Sequence, residues 1–173
     1  ANYMTMLYYQ AMISWTSGSQ GKFRLPSREI ADENIKQTRD AENQKLENIS
    51  KEETAAQNAV KGKTGYDIFL KEYTVNMTYA KQKYDVIKPA CNQVLKYEAD
   101  YYKKEVEPLL DDYYNKASIM AQYISEKQLQ TYFLDIMMST MYKAKAEVLM
   151  AGAGAGSEMD GAMAEVEMWQ QAI

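Results

Sequence analysis

Apolar residues recur along much of the chain at the three- and four-residue steps of an amphipathic helix. The clearest run has steps of 3, 4, 4, 3, 4 and 3 and consists of Tyr66, Phe69, Tyr73, Met77, Ala80, Tyr84 and Ile87. Because a helix turns once every 3.6 residues, these steps place all seven side chains on one face. No segment shows the two-residue alternation of a half-buried strand. We therefore predict an all-α protein, an elongated helical bundle or helical hairpin of long helices with essentially no β-sheet.

A second helical pattern extends from Leu109 to Met150, with little turn chemistry inside it, and predicts one long helix or two nearly coaxial helices. Earlier in the chain, Pro89 predicts a break or kink before a stretch with Val94, Leu95, Tyr101 and Tyr102, because proline lacks the N–H that a helix interior needs. Pro108 suits the first turn of the next helix, where that N–H is not required. We assign residues 66–150 to the main helical hairpin or bundle.

Residues 29–61 form a long charged helix with a sparser stripe. Its apolar positions are separated by 11, 3, 7 and 4 residues and are Ile35, Leu46, Ile49, Ala56 and Val60. These offsets keep one narrow stripe on one side of a helix. The stripe suits either a long helix with a single packing partner or a solvated surface helix of a bundle, and both interpretations stay open.

The two ends of the chain are predicted to carry shorter helices. Residues 2–16 read as an apolar N-terminal helix and 17–28 as a connector punctuated by glycine and proline. Residues 151–157 read as a Gly/Ala hinge, and 158–173 as an acidic C-terminal helix that begins after Ser157. We expect these segments to form one all-helical domain over 1–173.

Composition limits the chemistry available to the chain. It has no histidine, one cysteine and a formal net charge of -4. The absence of histidine excludes a Ser-His-Asp triad, an HExxH zinc site and a histidine-bearing di-iron site. A lone Cys91 excludes an intramolecular disulfide and suits a small buried apolar residue. We predict a protein that is not an enzyme, with no catalytic residue, cofactor or metal, and nucleic-acid binding is not expected without a basic stripe.

Three short stretches resemble ligand-binding motifs but lack the required spacing. Gly62-Lys63-Thr64 ends like a phosphate loop, yet Gln57 stands where the first glycine belongs and helix-forming residues precede it. The chain has no second acidic motif that would complete a metal site with Asp111-Asp112. Two aspartates at a helix start are explained by their favourable interaction with the helix dipole. The glycines of 152–156 lack the third glycine of a dinucleotide loop. None of these stretches predicts a nucleotide or metal site.

The positive signal is an excess of 15 Tyr and 12 Met residues along helical stripes. Tyr and Met are enriched at protein interfaces, and more apolar surface than one core needs implies partners. The leading hypothesis is a non-enzymatic structural protein that self-associates through helical packing into a homo-oligomer, as a filament, ring, virion or secretion-apparatus subunit. The interface residues predicted for it are Tyr3, Met6, Leu7, Trp15, Ile35, Leu46, Ile49, Met159, Met163, Val166 and Trp169.

Two other hypotheses stay open. The first is a helical adaptor or chaperone-like module that binds another protein through its acidic C-terminal helix. The second is a helical enzyme or small-ligand protein that uses Tyr, Asp, Glu and Lys. We expect neither a signal peptide nor a transmembrane span, because the uncharged stretch near the start has no basic flank and is too short. A virion, an extracellular filament and the cytoplasm are equally compatible locations.

Overall fold

The computed structural model describes residue 25, residues 27–123 and residues 125–172. Within these residues the chain forms helices and turns without a β-strand, so the predicted all-α class is confirmed. The predicted N-terminal helix at 2–16 and most of the predicted connector at 17–28 lie outside the described residues. The helices are α1 (Arg28–Val60), α2 (Tyr66–Tyr101), α3 (Glu107–Ala121) and α4 (Lys127–Gln171), with a π-helical turn at Tyr102–Val106.

The helices contribute to two compact units. The first unit takes in the described residues up to Asp32 together with Tyr97–Gly152, and the second takes in Glu33–Lys96 with Ala153–Ile173. Compactness does not by itself establish that a unit folds independently. The single domain expected over 1–173 therefore stays a prediction.

A glycine turn ends α1 and leads into α2. Gly62 has φ 76° and Gly65 has φ 123°, backbone conformations that residues with a Cβ rarely adopt. The Lys63 amide bonds the Val60 carbonyl at 3.3 Å, which closes the last turn of α1. Gly62-Lys63-Thr64 is thus a helix-to-helix connection, as the spacing predicted, and no strand precedes it in the described residues.

The two prolines of the bundle have different effects. The helix α2 runs through Pro89 without a break, so the break predicted there is wrong; the exposed ring lies on the solvent side of the helix. Pro108 lies in the first turn of α3, as predicted, and follows the π-helical turn. Because Pro108 cannot donate to the Lys104 carbonyl, the preceding turn widens, and the Glu107 amide bonds the Tyr102 carbonyl five residues back.

The pattern from Leu109 to Met150 corresponds to two helices, α3 and α4, with a turn at Gln122 and Tyr123 directly after α3. The Gln130 side chain donates to the Ala121 carbonyl at 2.9 Å and so satisfies a carbonyl left free at the end of α3. The hinge predicted at 151–157 is wrong in this structure, because α4 continues through it to Gln171. Alternating alanines favour the helix, and Ala155, 1% exposed, is anchored in a core.

The second unit is a bundle of α1, α2 and the end of α4. Its core comprises Cys91, Val94 and Ala155, with four partly buried residues packed against it: Ile35, Ile87, Leu95 and Met159. The hydrogen bond from Lys83 to Glu53 and that from Gln57 to Asn76 show α1 and α2 antiparallel. The edge contact of Tyr73 with Trp169, together with the Cys91–Ala155 packing, shows α2 and α4 antiparallel. Three helices therefore meet along one narrow core.

The first unit buries a separate set of apolar residues. Val106 is fully buried, and Leu110 and Ala121 are 2% exposed. Tyr101 is also buried, and its hydroxyl accepts a hydrogen bond from the Leu25 amide at 3.2 Å. Among the described helices, none is both long and apolar enough to cross a membrane.

Candidate functional site

A polar cluster, in which Glu42 and Cys91 are buried, joins the three helices of the second unit. We call it the Arg39 cluster: Arg39 and Glu42 from α1, Cys91 from α2 and Glu158 from α4. The Arg39 Nη1 atom lies 2.8 Å from Glu42 Oε1, 2.6 Å from Glu158 Oε2 and 3.8 Å from Cys91 Sγ. One guanidinium nitrogen therefore holds three helices together.

The Arg39 cluster is electrostatically unbalanced. It contains one cation and two carboxylates, and Glu42 Oε2 is buried without a hydrogen-bond partner among the described residues. Burial raises the pKa of Glu42, and the neighbouring Glu158 carboxylate raises it further, against the lowering effect of Arg39. A proton on Glu42 would satisfy its orphaned oxygen by donating to Glu158. The proton affinity of Glu42 is therefore higher than that of an ordinary glutamate.

The ligand atoms of Glu42, Cys91 and Glu158 lie within 4.8 Å of one another, which raises the question of a metal. Thiolate and carboxylate ligands would suit zinc. However, the Arg39 guanidinium already occupies the space between them and would repel a divalent cation. Burial and the nearby Glu158 also raise the pKa of the Cys91 thiol, which opposes the thiolate that a metal needs. These residues do not fit a metal site.

A second arginine cluster lies in the first unit. We call it the Arg28 cluster: Arg28, Asp32, Glu98 and Tyr101. Arg28 donates from Nη1 and Nη2 to the two oxygens of Glu98, both at 2.6 Å, and from Nε to Asp32 at 2.8 Å. Its guanidinium also lies 4.8 Å from the centre of the Tyr101 ring. The hydrogen bonds to Glu98, with the charge of Asp32, raise the pKa of Arg28 above its ordinary value.

The outward side of α4 in the first unit exposes large apolar side chains. Tyr132 is 65% exposed, Leu149 64% and Met150 75%; Leu129 and Tyr142 are exposed to a similar degree. At 100° per residue these five positions fall within an arc of about 160°. We call this arc the α4 outer face, defined by Gln128, Leu129, Tyr132, Asp135, Ser139, Tyr142, Lys143, Ala146, Leu149 and Met150, all of which are exposed.

The structure places the predicted interface residues in different environments. Tyr3, Met6, Leu7 and Trp15 lie outside the described residues. Met163 is exposed, whereas Leu46 and Ile49 are half-buried. The others pack within the second unit: Ile35 and Met159 against its core, Val166 buried, and Trp169 against Tyr73.

Both arginine clusters were missed from the sequence, although α1 carried a signal for one of them. The gaps of 11 and 7 in its apolar stripe are filled by Arg39, Glu42 and Glu53, which restore continuous steps of 4 and 3. Each of these residues contacts or faces another helix; Glu53, for example, accepts a hydrogen bond from Lys83 at 3.0 Å. The polar residues that fill the gaps in the apolar stripe of α1 therefore lie at its contacts with other helices.

The stripe that the sequence predicts in this segment contains Leu129, Phe133 and Ile136, and it borders the α4 outer face, with which it shares Leu129. Tyr132, Tyr142, Leu149 and Met150 lie off that stripe, so the sequence did not predict the face they share. These large apolar residues outside the stripe were the signal in the sequence from which the α4 outer face could have been predicted. Comparison of the chain with protein-family models, curated proteins and solved structures gave no match.

Proposed function

We propose that this chain is a non-enzymatic structural protein that self-associates through helical packing, as a subunit of a filament, ring, virion or secretion apparatus. The α4 outer face is the observation that carries the proposal. It presents five large apolar side chains on one side of one helix, between Leu129 and Met150. Solvated helix faces are usually polar, and contiguous apolar surface marks interaction sites.

The extent of exposed surface supports a packing role. An aromatic side chain can bury roughly 150–250 Å², and a specific interface buries about 800 Å² on each partner. The α4 outer face exposes two tyrosines, two leucines and one methionine, whose combined burial would supply an area of that order. Burying it against another protein surface would remove an unfavourable contact with water.

The charge of this segment favours a second copy as partner. Between Lys127 and Met150 the chain carries three lysines and two acidic residues, a net charge of +1. A nearly neutral surface can approach its own copy without strong repulsion. The absence of histidine and of a disulfide also leaves assembly less dependent on metal or redox chemistry.

Light scattering over a range of protein concentrations tests this proposal. We expect a mass that rises above the 19.8 kDa of one chain, because the exposed faces associate. Leu149→Glu should shift the mass back toward one chain, since it places a charge on the α4 outer face. Phe69→Glu is the matched control, because Phe69 is exposed in the second unit. A wild-type mass of one chain at all concentrations would refute the proposal.

The alternative is a helical adaptor that binds another protein through its acidic C-terminal helix. Exposed Met163 and Met168 favour it, because methionine adapts to irregular partner surfaces. It would leave the chain monomeric or dimeric. Met159 and Val166 already pack inside the second unit, which leaves this segment less free surface than the α4 outer face.

A further inference from the structure

The residues of the α4 outer face are arranged symmetrically about Ser139. Asp135 and Lys143 lie four residues before and after it, and Leu129 and Leu149 lie ten residues before and after it. At 100° per residue, each pair falls at equal angles on opposite sides of the Ser139 direction. A twofold axis perpendicular to the helices at Ser139 would therefore bring each member of a pair to the same height as its counterpart from another copy.

The charges of this face distinguish the two possible orientations of a helix pair. In an antiparallel pair centred on Ser139, Asp135 of each copy faces Lys143 of the other, which gives two attractive contacts. In a parallel pair in register, Asp135 faces Asp135 and Lys143 faces Lys143. Like charges placed opposite each other disfavour an interface, so the charge pattern selects the antiparallel pair.

Side-chain size follows the same symmetry. Tyr132 lies seven residues before Ser139 and would face Ala146, seven residues after it. A large side chain opposite a small one allows two helices to interdigitate, and small Ser139 at the centre allows close approach of the axes. Size and charge therefore agree on one register.

We propose that the α4 outer face binds the same face of a second copy of this chain as an antiparallel helix pair with its twofold axis at Ser139. This inference rests on the proposed function and specifies the face, orientation and register of its first contact. The interface is isologous, so every contact occurs twice. The pair extends over 23 residues from Gln128 to Met150, about 35 Å of helix.

Charge reversal on the α4 outer face tests the register. Asp135→Lys places lysine opposite Lys143 at both symmetric positions, and Lys143→Asp places aspartate opposite Asp135. We expect each single variant to weaken the first association step by more than about tenfold, measured by sedimentation velocity at low salt. The double variant Asp135→Lys/Lys143→Asp restores both pairs and should associate like the wild type.

Mixing the two single variants provides the sharpest test. Each is self-repelling, but one copy of each forms two attractive pairs, so an equimolar mixture should associate when neither variant alone does. Lys145→Asp is the matched control: it makes the same charge change just outside the face and should leave association unchanged. All three positions are exposed, and circular dichroism checks that the helices are retained.

The outcomes separate this inference from the proposed function. A wild-type chain that stays monomeric overturns both. A wild-type chain that associates, with single reversals that associate equally well, overturns only the antiparallel register and leaves self-association standing. Loss of association in Asp135→Lys and Lys143→Asp, with recovery in the double variant and in the mixture, supports the inference.

Discussion

The Arg28 and Arg39 clusters have nearly the same composition but different geometry. Each arginine bonds one buried carboxylate and one that is 39% exposed: Glu98 and Asp32 for Arg28, Glu42 and Glu158 for Arg39. Glu98 receives two hydrogen bonds from its arginine, one on each oxygen, whereas Glu42 receives one and keeps a buried oxygen without a partner. A bidentate contact thus satisfies the buried carboxylate, and a single contact does not.

This difference shows that geometry, and not the number of charges, decides whether both oxygens of a buried carboxylate have hydrogen-bond partners. Both clusters have one cation for two carboxylates. In the Arg28 cluster the planar guanidinium donates to both oxygens of the buried carboxylate, so neither oxygen lacks a partner. In the Arg39 cluster the guanidinium is divided between two helices and leaves one oxygen of Glu42 without a partner, while burial and the Glu158 carboxylate raise the pKa of Glu42. We therefore expect the Arg28 cluster to act as a fixed ion pair and the Arg39 cluster to respond to pH.

The largest expected effect is from Glu98→Gln in the Arg28 cluster. This substitution leaves Arg28, whose side chain is 14% exposed, without its charged partner. Removing one partner of a buried pair costs about 3 kcal/mol, which urea denaturation at pH 7 can measure. The same substitution at Glu42 should change the unfolding free energy by less than about 1 kcal/mol, because Arg39 keeps its ion pair with Glu158 and the new amide can donate a hydrogen bond from the position of the oxygen that has no partner. Equal losses of unfolding free energy in Glu98→Gln and Glu42→Gln would mean that the expected difference between the two clusters is wrong.

The next effect is a pH dependence that originates in Glu42. Its folded pKa is raised, so between the ordinary glutamate pKa of about 4.3 and that folded value the native protein binds more protons than the unfolded chain. The contribution of Glu42 to the free energy of unfolding is present below the ordinary pKa and is lost as pH rises through the folded pKa. Glu42→Gln should remove this loss, as followed by urea denaturation across the pH range. The groups facing Glu42 are Arg39, Cys91 and Glu158.

A matching pH curve for the wild type and Glu42→Gln would contradict that prediction. Glu98→Gln serves as the control, since it alters the other cluster and should keep the loss of stability with rising pH. The comparison therefore uses each cluster as the reference for the other.

The smallest expected effects come from the two half-exposed carboxylates. Asp32→Asn and Glu158→Gln should each change the unfolding free energy by less than about 1 kcal/mol, because water screens ion pairs at such positions. They should nevertheless differ in pH dependence. Glu158→Gln removes a charge that raises the pKa of Glu42, so the pH-dependent loss should move to lower pH, while Asp32→Asn leaves it in place. Identical pH curves for these two variants would argue against coupling between Glu42 and Glu158.

The regular parts of the fold could be predicted from particular residues. The stripe from Tyr66 to Ile87 specified α2, and Gly62 and Gly65 specified the turn before it, because only glycine adopts those φ values readily. Pro108 specified a helix start but not the π-helical turn before it. The continuous helix through 151–157 was not predicted, because local propensity carries no information about the packing of Ala155.

The sequence by itself determined the all-α class, the positions of α1 and α2 and the absence of histidine chemistry, since these depend on local periodicity and composition. Only the tertiary structure decided which polar residues meet. Arg39, Cys91 and Glu158 are distant in sequence, and their contact depends on the relative rotation and register of three helices. The same rotation decides which side of α4 is exposed. Periodicity identifies two faces of a helix, but packing against neighbours determines which face is buried.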